Sequence, residues 1–171
     1  NKNINNSAVR EIELQKVRNN LNENIILTTN LSKKFGGFHL NDIHFELPAG
    51  YICGLIGENG AGKTTLLQIL AGLYEYDGSI KMLGSDYRSD AQKLQQEIGF
   101  VFHEEWFDPW DSLIVNSRHY GKYYADYDED VLKNYLERFR LDGKKKYKKL
   151  SKGEKLKFAF AFALAHRPKL L

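Results

Sequence analysis

A glycine-rich segment, Gly57-Glu-Asn-Gly-Ala-Gly-Lys-Thr64, constrains the fold of this chain more than any other feature. It matches the pattern G-x-x-x-x-G-K-[S/T] at every fixed position. The preceding run Tyr51–Ile56 is continuously apolar, which is typical of a strand covered on both faces. A run that is rich in good helix formers follows over Thr64–Leu73, and we predict a helix there. The order of strand, glycine-rich loop and helix predicts an α/β domain with a phosphate-binding loop.

The chemistry of such a loop explains its composition. Glycines let the backbone fold round a phosphate with its N–H groups pointing inward, and the helix that follows adds the positive end of its dipole. The Lys63 ammonium reaches the β- and γ-phosphates, and the Thr64 hydroxyl is a ligand for Mg²⁺. We therefore predict that the chain binds a nucleoside triphosphate with Mg²⁺, through Gly57, Glu58, Asn59, Gly60, Ala61, Gly62, Lys63, Thr64 and Thr65.

Composition narrows the class of protein further. The 171 residues fit one domain, and the formal charge of +3 is too mild to predict a nucleic-acid partner. The sequence contains a single cysteine, Cys53, so neither a zinc site built from several cysteines nor a redox-active cysteine pair is expected. The longest uninterrupted apolar stretch, Phe158–Ala165, is eight residues, whereas a membrane-spanning helix needs about 20. We expect a cytoplasmic protein without a membrane-spanning segment.

The rest of the chain divides into regions of different character. Residues 1–24 hold eight Asn and few large apolar groups, so we expect a peripheral extension there. From Ile25 onwards, β-branched runs and period-two alternation predict further elements of an α/β domain. These are strands over Ile25–Thr29, 43–47, Gly78–Leu83 and Ile98–Phe102, and a short helix over Asp90–Glu97.

Helical spacing and many aromatic side chains mark residues 104–150, which we predict to be a helical subdomain. The segment after it, Phe158–Ala163, alternates at period two and fits a strand as well as a helix. Helix is favoured because Ser151-Lys-Gly-Glu154 fits a capping box, alanine is a strong helix former, and Pro168 gives a stop.

Two motifs together resemble a known family. Leu150-Ser-Lys-Gly-Glu154, placed after Gly57–Thr65, is similar to the signature Leu-Ser-Gly-Gly-Gln of the ATP-binding subunits of ABC transporters. The similarity covers about residues 25–171. It implies an ABC-type ATPase domain of the α/β P-loop fold, which binds ATP and Mg²⁺.

The resemblance also implies roles for particular residues. Phe35 stands where the family has an aromatic ring on which adenine stacks. Ser151, Gly153 and Glu154 would contact the γ-phosphate held by a second ATPase subunit in a head-to-tail dimer. Hydrolysis would drive a separate transmembrane permease subunit, with the ATPase peripheral on the cytoplasmic face of the membrane.

The sequence departs from the family at several positions. Lys152 and Glu154 replace a Gly and the Gln of the signature. His103 stands where the family has a Gln that links Mg²⁺ to the membrane subunit. Imidazole is a poorer Mg²⁺ ligand than an amide oxygen, so three alternatives stay open. His103 acts through water, it leaves the task to Glu104 or Glu105, or it has no metal role; if it is functional, turnover of Mg-ATP should depend on pH.

A further departure concerns the chemistry of hydrolysis. In the family, the stretch that Ala165–Leu171 resembles runs into an apolar strand ending in Asp-Glu, which supports Mg²⁺ and polarises the attacking water. These acidic residues are not among the 171, so we expect an ABC ATPase domain truncated before that strand. Lys63 then remains as the residue that stabilises the transition state. We predict that this polypeptide alone binds ATP weakly and hydrolyses it negligibly.

Two other segments have competing interpretations. Lys144–Lys149 holds five Lys in six residues and is best explained as a solvated loop, although such a patch can also touch nucleic acid or anionic lipid. The aromatic segment 106–124 is either core of the subdomain or, by resemblance, the dock for a helix of the membrane subunit, and both hold if different residues serve each role.

The function that these observations favour is ATP-driven transport. His103 together with Leu-Ser-Lys-Gly-Glu is most similar to small bacterial exporters of peptides or antibiotics. Two alternatives from other classes remain: a soluble ABC-type ATPase acting on ribosomes or nucleic acid, and a nucleotide-binding module that does not hydrolyse ATP.

Overall fold

A computed structural model describes residues 24–102 and 106–171. Residues 1–23 of the predicted extension 1–24 lie outside the described residues, whereas its last residue, Asn24, already belongs to the first strand. His103, Glu104 and Glu105 also lie outside the described residues. The chain forms two compact units, the first up to Ala91 and the second from Gln92 to Leu171.

The first unit contains a sheet with neighbouring strands all antiparallel, in the order β2-β1-β3-β4. The helix α1 belongs to the same unit and follows the glycine-rich segment. The bounds are β1 Asn24–Phe35, β2 Phe38–Pro48, α1 Lys63–Leu70, β3 Asp77–Met82 and β4 Ser85–Asp86.

The two long strands form a hairpin whose tip reaches the candidate site. Phe35 and Phe38 are register partners on either side of the two-residue turn Gly36-Gly37. Ile43, Phe45 and Leu47 are half-buried whereas His44 and Glu46 are exposed, which confirms the predicted alternation. The predicted strands at 25–29 and 78–83 are confirmed as parts of β1 and β3.

Helix α1 turns one face into the first unit. Leu66, Ile69 and Leu70 are buried, as expected for residues three and four apart. The helix ends at Leu70, earlier than the predicted Leu73, and Gly72 then adopts a left-handed conformation with φ 77°. A glycine in this conformation just past the last turn is a common helix stop.

The second unit is helical. It contains α2 Ala91–Glu97, α3 Leu113–Gly121, α4 Glu129–Arg138, a 3-10 helix Tyr147–Lys149 and α5 Lys152–Leu164, with α2 beginning at the boundary between the units. Side chains of Ser112, Asp128 and Ser151 cap α3, α4 and α5 by accepting hydrogen bonds from first-turn amides. Helix α5 includes Phe158–Ala163, so the helix interpretation and the capping box are both confirmed. The predicted short helix at 90–97 is also confirmed.

The core of the second unit centres on Phe158, which is fully buried. The ring of Phe107 lies 4.6 Å from that of Phe158 between centroids, and Tyr147 packs in the same cluster. Asn116 is also buried in this unit. Its side chain accepts a hydrogen bond from the N–H of Asp108 and donates one to the C=O of Asp108, so it holds the preceding loop in place. The remaining buried members are Leu113, Leu132, Leu136, Leu141, Leu150, Ala161 and Ala165.

Two predicted strands are wrong. Tyr51–Ile56 has no regular structure and is exposed, with Ile52 and Ile56 almost fully accessible. Ile98–Phe102 forms only one isolated bridge, between Ile98 and Leu170. The physical reason is the same for both: a strand exists only by pairing, and no other described residue forms a ladder with either segment.

Candidate functional site

The glycine-rich loop leads directly into the first turn of α1. Its chain turns at residues 59–62, where the Ala61 N–H donates to the Glu58 carbonyl at 3.2 Å. Gly62 caps α1, since the Leu66 N–H donates to its carbonyl at 2.8 Å. The first amides of a helix have no intrahelical partner, so the end of this loop presents free N–H groups beside the positive end of the helix dipole.

The ammonium of Lys63 bridges the start of the loop. Its Nζ donates hydrogen bonds to the carbonyl oxygens of Gly57, at 2.8 Å, and of Glu58, at 2.7 Å. Both acceptors are neutral, and no carboxylate among residues 24–102 and 106–171 forms an ion pair with Lys63. Within the described residues, the positive charge of Lys63 is therefore held at the loop without a carboxylate partner, which is an arrangement that attracts a phosphate.

Gly62 has a conformation and surroundings that exclude other residues. Its φ of +94° is in the left-handed region, and a Cβ built there would lie 2.8 Å from Cζ of Phe38. Gly60 is also left-handed but has open space around it. Steric contact with the hairpin thus fixes the glycine at position 62, whereas backbone conformation alone favours the glycine at 60.

An open cleft of about 610 Å³ lies between the hairpin tip and the loop. Phe35 is half-buried in it, and its ring meets that of Tyr74 edge to face, with centroids 5.1 Å apart and planes at 78°. Nζ of Lys33 lies 5.5 Å from the centroid of Phe35. The cleft also includes Asn59, Gly60, Gly62, Lys63, Thr64 and Thr65, so the structure brings Phe35 and most of the predicted loop residues to one place.

Three residues lining the cleft were missed in the sequence: Phe38, Gln68 and Tyr74. Phe38 carried a usable signal, because a Gly-Gly pair between two aromatic residues predicts a tight hairpin that sets them side by side. Gln68 lies on α1 one helical turn after Thr64, which a helical projection would have indicated. Tyr74 had no local signal, because its contact with Phe35 joins distant parts of the chain.

The arrangement suits Mg²⁺ as a companion of bound phosphate. Thr64 is exposed in the first turn of α1, where its hydroxyl is available as an oxygen ligand. In the described ranges, no group of three or more His, Cys, Asp or Glu side chains is placed to hold a metal by itself. Mg²⁺ bound to phosphates characteristically needs only one or two protein ligands. His103, the other predicted metal ligand, falls outside the described residues.

The remaining predicted site residues lie in the second unit, at the start of α5. Ser151 accepts the Glu154 N–H at 3.2 Å, and Glu154 Oε2 accepts the Ser151 N–H at 2.7 Å. Ser151 and Gly153 are exposed, and a Cβ on Gly153 would have open space around it within the described part of the chain. Two hydrogen bonds lower the pKa of Glu154 to about 2. The larger contribution comes from Lys145 and the next from the Ser151 amide.

The members of the aromatic segment 106–124 differ in burial. Phe107 packs against the core cluster. Trp106 and Trp110 are more than half exposed, and Nζ of Lys148 lies over the ring of Trp110. The basic stretch 144–149 is tied to this segment by its backbone, since the N–H of Tyr147 donates to the carbonyl of Asp111 at 2.9 Å.

A loop closed by a lysine at the first turn of a helix, with an aromatic cleft beside it, defines the class of phosphate-loop nucleotide-binding proteins. The comparison with protein families is more specific: the family described as ABC transporter matches residues 40–171. The chain therefore belongs to the ABC transporter ATP-binding family, as the two motifs predicted.

Several characterised relatives support this assignment. The chain is 36% identical over 152 residues to the sulfate/thiosulfate import ATP-binding protein CysA of Bacillus cereus, covering 82% of this chain and 42% of that protein. It is 29% identical over 153 residues to the bacitracin transport ATP-binding protein BcrA of Enterococcus faecalis, covering 87% of this chain and 50% of BcrA. The chain thus spans about half the length of these relatives.

The fold is that of solved ABC ATPase subunits. CbiO1 of Clostridium perfringens, described as part of the ABC transporter complex CbiONQ, matches with a TM-score of 0.70 at 26% identity. The match covers 86% of this chain and 64% of CbiO1. None of the helices within 24–102 and 106–171 combines the length and the apolarity needed to cross a membrane.

Proposed function

We propose that this chain forms the nucleotide-binding part of an ATPase that powers transmembrane transport. ATP with Mg²⁺ binds in the cleft beside the loop Gly57–Thr65, and Lys63 stabilises the charge that develops on the phosphates during hydrolysis. The observation that carries the proposal is the ammonium of Lys63 at the start of α1, which is held by two backbone carbonyls and has no ion-pair partner in the part of the chain that the structure describes.

The aromatic side of the cleft supports ATP over a bare polyphosphate. Phe35 offers a ring on which a purine base can stack, and Tyr74 supports that ring from its edge. Thr64 would bind the Mg²⁺ that accompanies the β- and γ-phosphates. The phosphates themselves would be held by the backbone N–H groups of residues 57–65 and by Lys63.

The start of α5 is proposed to act on a second copy. Ser151 and Gly153 are exposed at a capped helix N-terminus, which is suited to an anion supplied from outside. In a head-to-tail dimer, ATP bound to the loop of one copy would meet this first turn in the other. Binding of ATP would close the dimer and hydrolysis would reopen it.

The proposed membrane partner is a separate permease subunit, with this protein peripheral on the cytoplasmic face. The exposed rings of Trp106 and Trp110 are the surface that we assign to it, since exposed aromatic side chains are frequent at protein interfaces. Export is the direction favoured by the resemblance of His103, taken together with Leu150–Glu154, to small bacterial exporters. Relatives by name include both an importer and a bacitracin transporter, so similarity alone does not decide the direction.

Purification from membranes tests the transport function. The tagged protein, extracted in mild detergent, should be recovered with a polytopic membrane protein in defined stoichiometry. The double variant Trp106→Ser/Trp110→Ser should lose that partner, whereas Lys144→Met, an exposed change in the same unit, should retain it. Recovery with ribosomes or nucleic acid, and without a membrane protein, would contradict the proposal and support the soluble alternative.

A further inference from the structure

The acidic residue in the first turn of α5 is held from two sides. Glu154 Oε2 accepts the N–H of Ser151 at 2.7 Å, and Oε1 accepts Nζ of Lys145 at 2.8 Å. The side chains of Lys145 and Glu154 are 33% and 32% exposed, so the pair is sheltered from full solvent screening. Each carboxylate oxygen therefore has a partner, and one of these partners carries a positive charge.

A free carboxylate at this position would oppose the proposed role of the helix. The capping box uses the amides of Ser151 and Glu154, which leaves those of Lys152 and Gly153 for an incoming anion. A negative charge within the same turn would repel a phosphate over a few ångströms, where charges interact strongly. The glutamate thus stabilises the helix and, unless it is neutralised, weakens its affinity for phosphate.

We propose that Lys145 is a positioning residue for phosphate binding by α5. Its ammonium neutralises Glu154 and holds that carboxylate in the capping box, so that the first turn of α5 keeps the positive potential that accepts a γ-phosphate. This inference rests on the proposed function, in which the γ-phosphate is held by a second copy. It also assigns a role to one lysine of the basic stretch 144–149, which the sequence alone explains best as a solvated loop.

The backbone around Lys145 is fixed independently of its side chain. The Lys145 N–H donates to the carbonyl of Asp142 at 3.0 Å, and its own carbonyl accepts the N–H of Leu113 at 3.2 Å. Gly143, two residues earlier, lies so close to Ile114 that a Cβ would come within 2.9 Å of it. The loop therefore aims Lys145 at Glu154, and a change of the side chain leaves these backbone contacts in place.

Five variants of the 171-residue chain separate charge from structure. Lys145→Met removes the ammonium, and Lys145→Arg keeps a positive charge. Glu154→Gln keeps the capping box, since glutamine also serves at this position, and removes the negative charge. The double variant Lys145→Met/Glu154→Gln removes both charges. Lys144→Met is the matched control, because Lys144 is an exposed neighbour whose backbone amide bonds Asp142.

Sedimentation velocity with Mg-ATP measures self-association, and calorimetry on the same samples measures nucleotide binding. Lys145→Met should lower the ATP-induced association constant about tenfold, the size of effect expected for an uncompensated charge at an interface. Lys145→Arg and Lys144→Met should stay within about twofold of wild type. The double variant should recover most of the association that Lys145→Met loses, and Glu154→Gln, which keeps the lysine, should associate at least as strongly as the double variant. Circular dichroism should show the same helix content throughout.

Each result bears on one part of the account. Rescue by the double variant supports the charge argument, because a purely structural role for Lys145 would leave the double variant as weak as Lys145→Met. Equal self-association of Lys145→Met and wild type would overturn the inference while leaving the proposed function intact. If wild type binds ATP and never self-associates, the proposed dimer fails, and the role of Lys145 fails with it.

Discussion

The ring of Phe38 covers Gly62, so that a Cβ on Gly62 would lie 2.8 Å from Phe38 Cζ. This contact joins the hairpin, which carries the proposed base-stacking residue Phe35, to the residue that caps the phosphate-loop helix. If ATP binds as proposed, this contact within the first unit would set the position of the base relative to that of the phosphates.

Gly62→Ala should therefore disrupt nucleotide binding. The new methyl group must displace Phe38, and an alanine at φ +94° adds a strain of about 1–2 kcal/mol. Both changes distort the loop, and we expect ATP affinity measured by calorimetry to fall at least about tenfold. Gly36→Ala is the control, since its Cβ meets nothing within 4 Å. Equal losses in the two variants would contradict a specific role for the contact between Phe38 and Gly62.

Phe35→Ala tests the assignment of the base site. If Phe35 stacks on a purine, its removal should weaken ATP binding about tenfold and leave inorganic tripolyphosphate unchanged, because aromatic stacking of a base contributes about 1–3 kcal/mol. Phe35→Tyr should restore ATP affinity, as its ring has the same face. Parallel titrations with the two ligands decide the matter. An equal loss for ATP and tripolyphosphate would show that Phe35 supports the loop and does not bind the base.

Local rules predicted the parts of this fold that depend on neighbours in sequence. The capping box of α5 was correct because Ser151 and Glu154 lie three residues apart and need nothing else. The predicted alternation of Ile43, Phe45 and Leu47 was correct because successive side chains of a strand point to opposite faces of the sheet. The family was correct because the motifs at 57–65 and 150–154 are both short and specific.

Predictions that depend on contacts between residues far apart in the sequence were less accurate. The apolar run Tyr51–Ile56 looked like a buried strand, yet hydrophobicity does not supply the second ladder that a strand requires, and no described residue pairs with it. Tyr74 was missed for the same reason, since only the folded chain sets it against Phe35. The ion pair of Lys145 with Glu154 could not be predicted either, because the sequence does not show which of the five lysines in 144–149 lies next to Glu154.

The buried His166 gives the second unit a dependence on pH. Its ring stacks on Tyr124 with centroids 4.1 Å apart, and Nε2 lies 3.3 Å from the carbonyl of Ile98. Burial lowers the pKa of His166, although the bond to Ile98 and the charge of Asp126 oppose that shift. The folded state resists the proton that the unfolded chain accepts, so stability is retained above the ordinary histidine pKa of about 6.5 and declines as the pH falls below it.

Thermal unfolding measured between pH 7.5 and 5 checks the direction of this pH dependence. The wild-type melting temperature should fall over that range, and His166→Phe, which keeps a ring against Tyr124, should flatten the decline. His39→Gln is the control, because it removes a histidine that is exposed on β2 and lies in the first unit. A decline of the same slope in His166→Phe would assign the pH dependence to other groups.

The affinity of the 171-residue chain for Mg-ATP, compared between wild type and Lys63→Met, tests the central claim most directly. Lys63 holds the loop through Gly57 and supplies the charge for the phosphates, and a hydrogen bond to a charged group contributes about 1.5–3 kcal/mol. We predict measurable ATP binding by wild type in calorimetry, a loss of at least about tenfold in Lys63→Met, and wild-type affinity within about twofold in Lys81→Met, an exposed lysine of the same unit. The same ATP affinity in wild type and Lys63→Met, or no binding by wild type, would contradict the account.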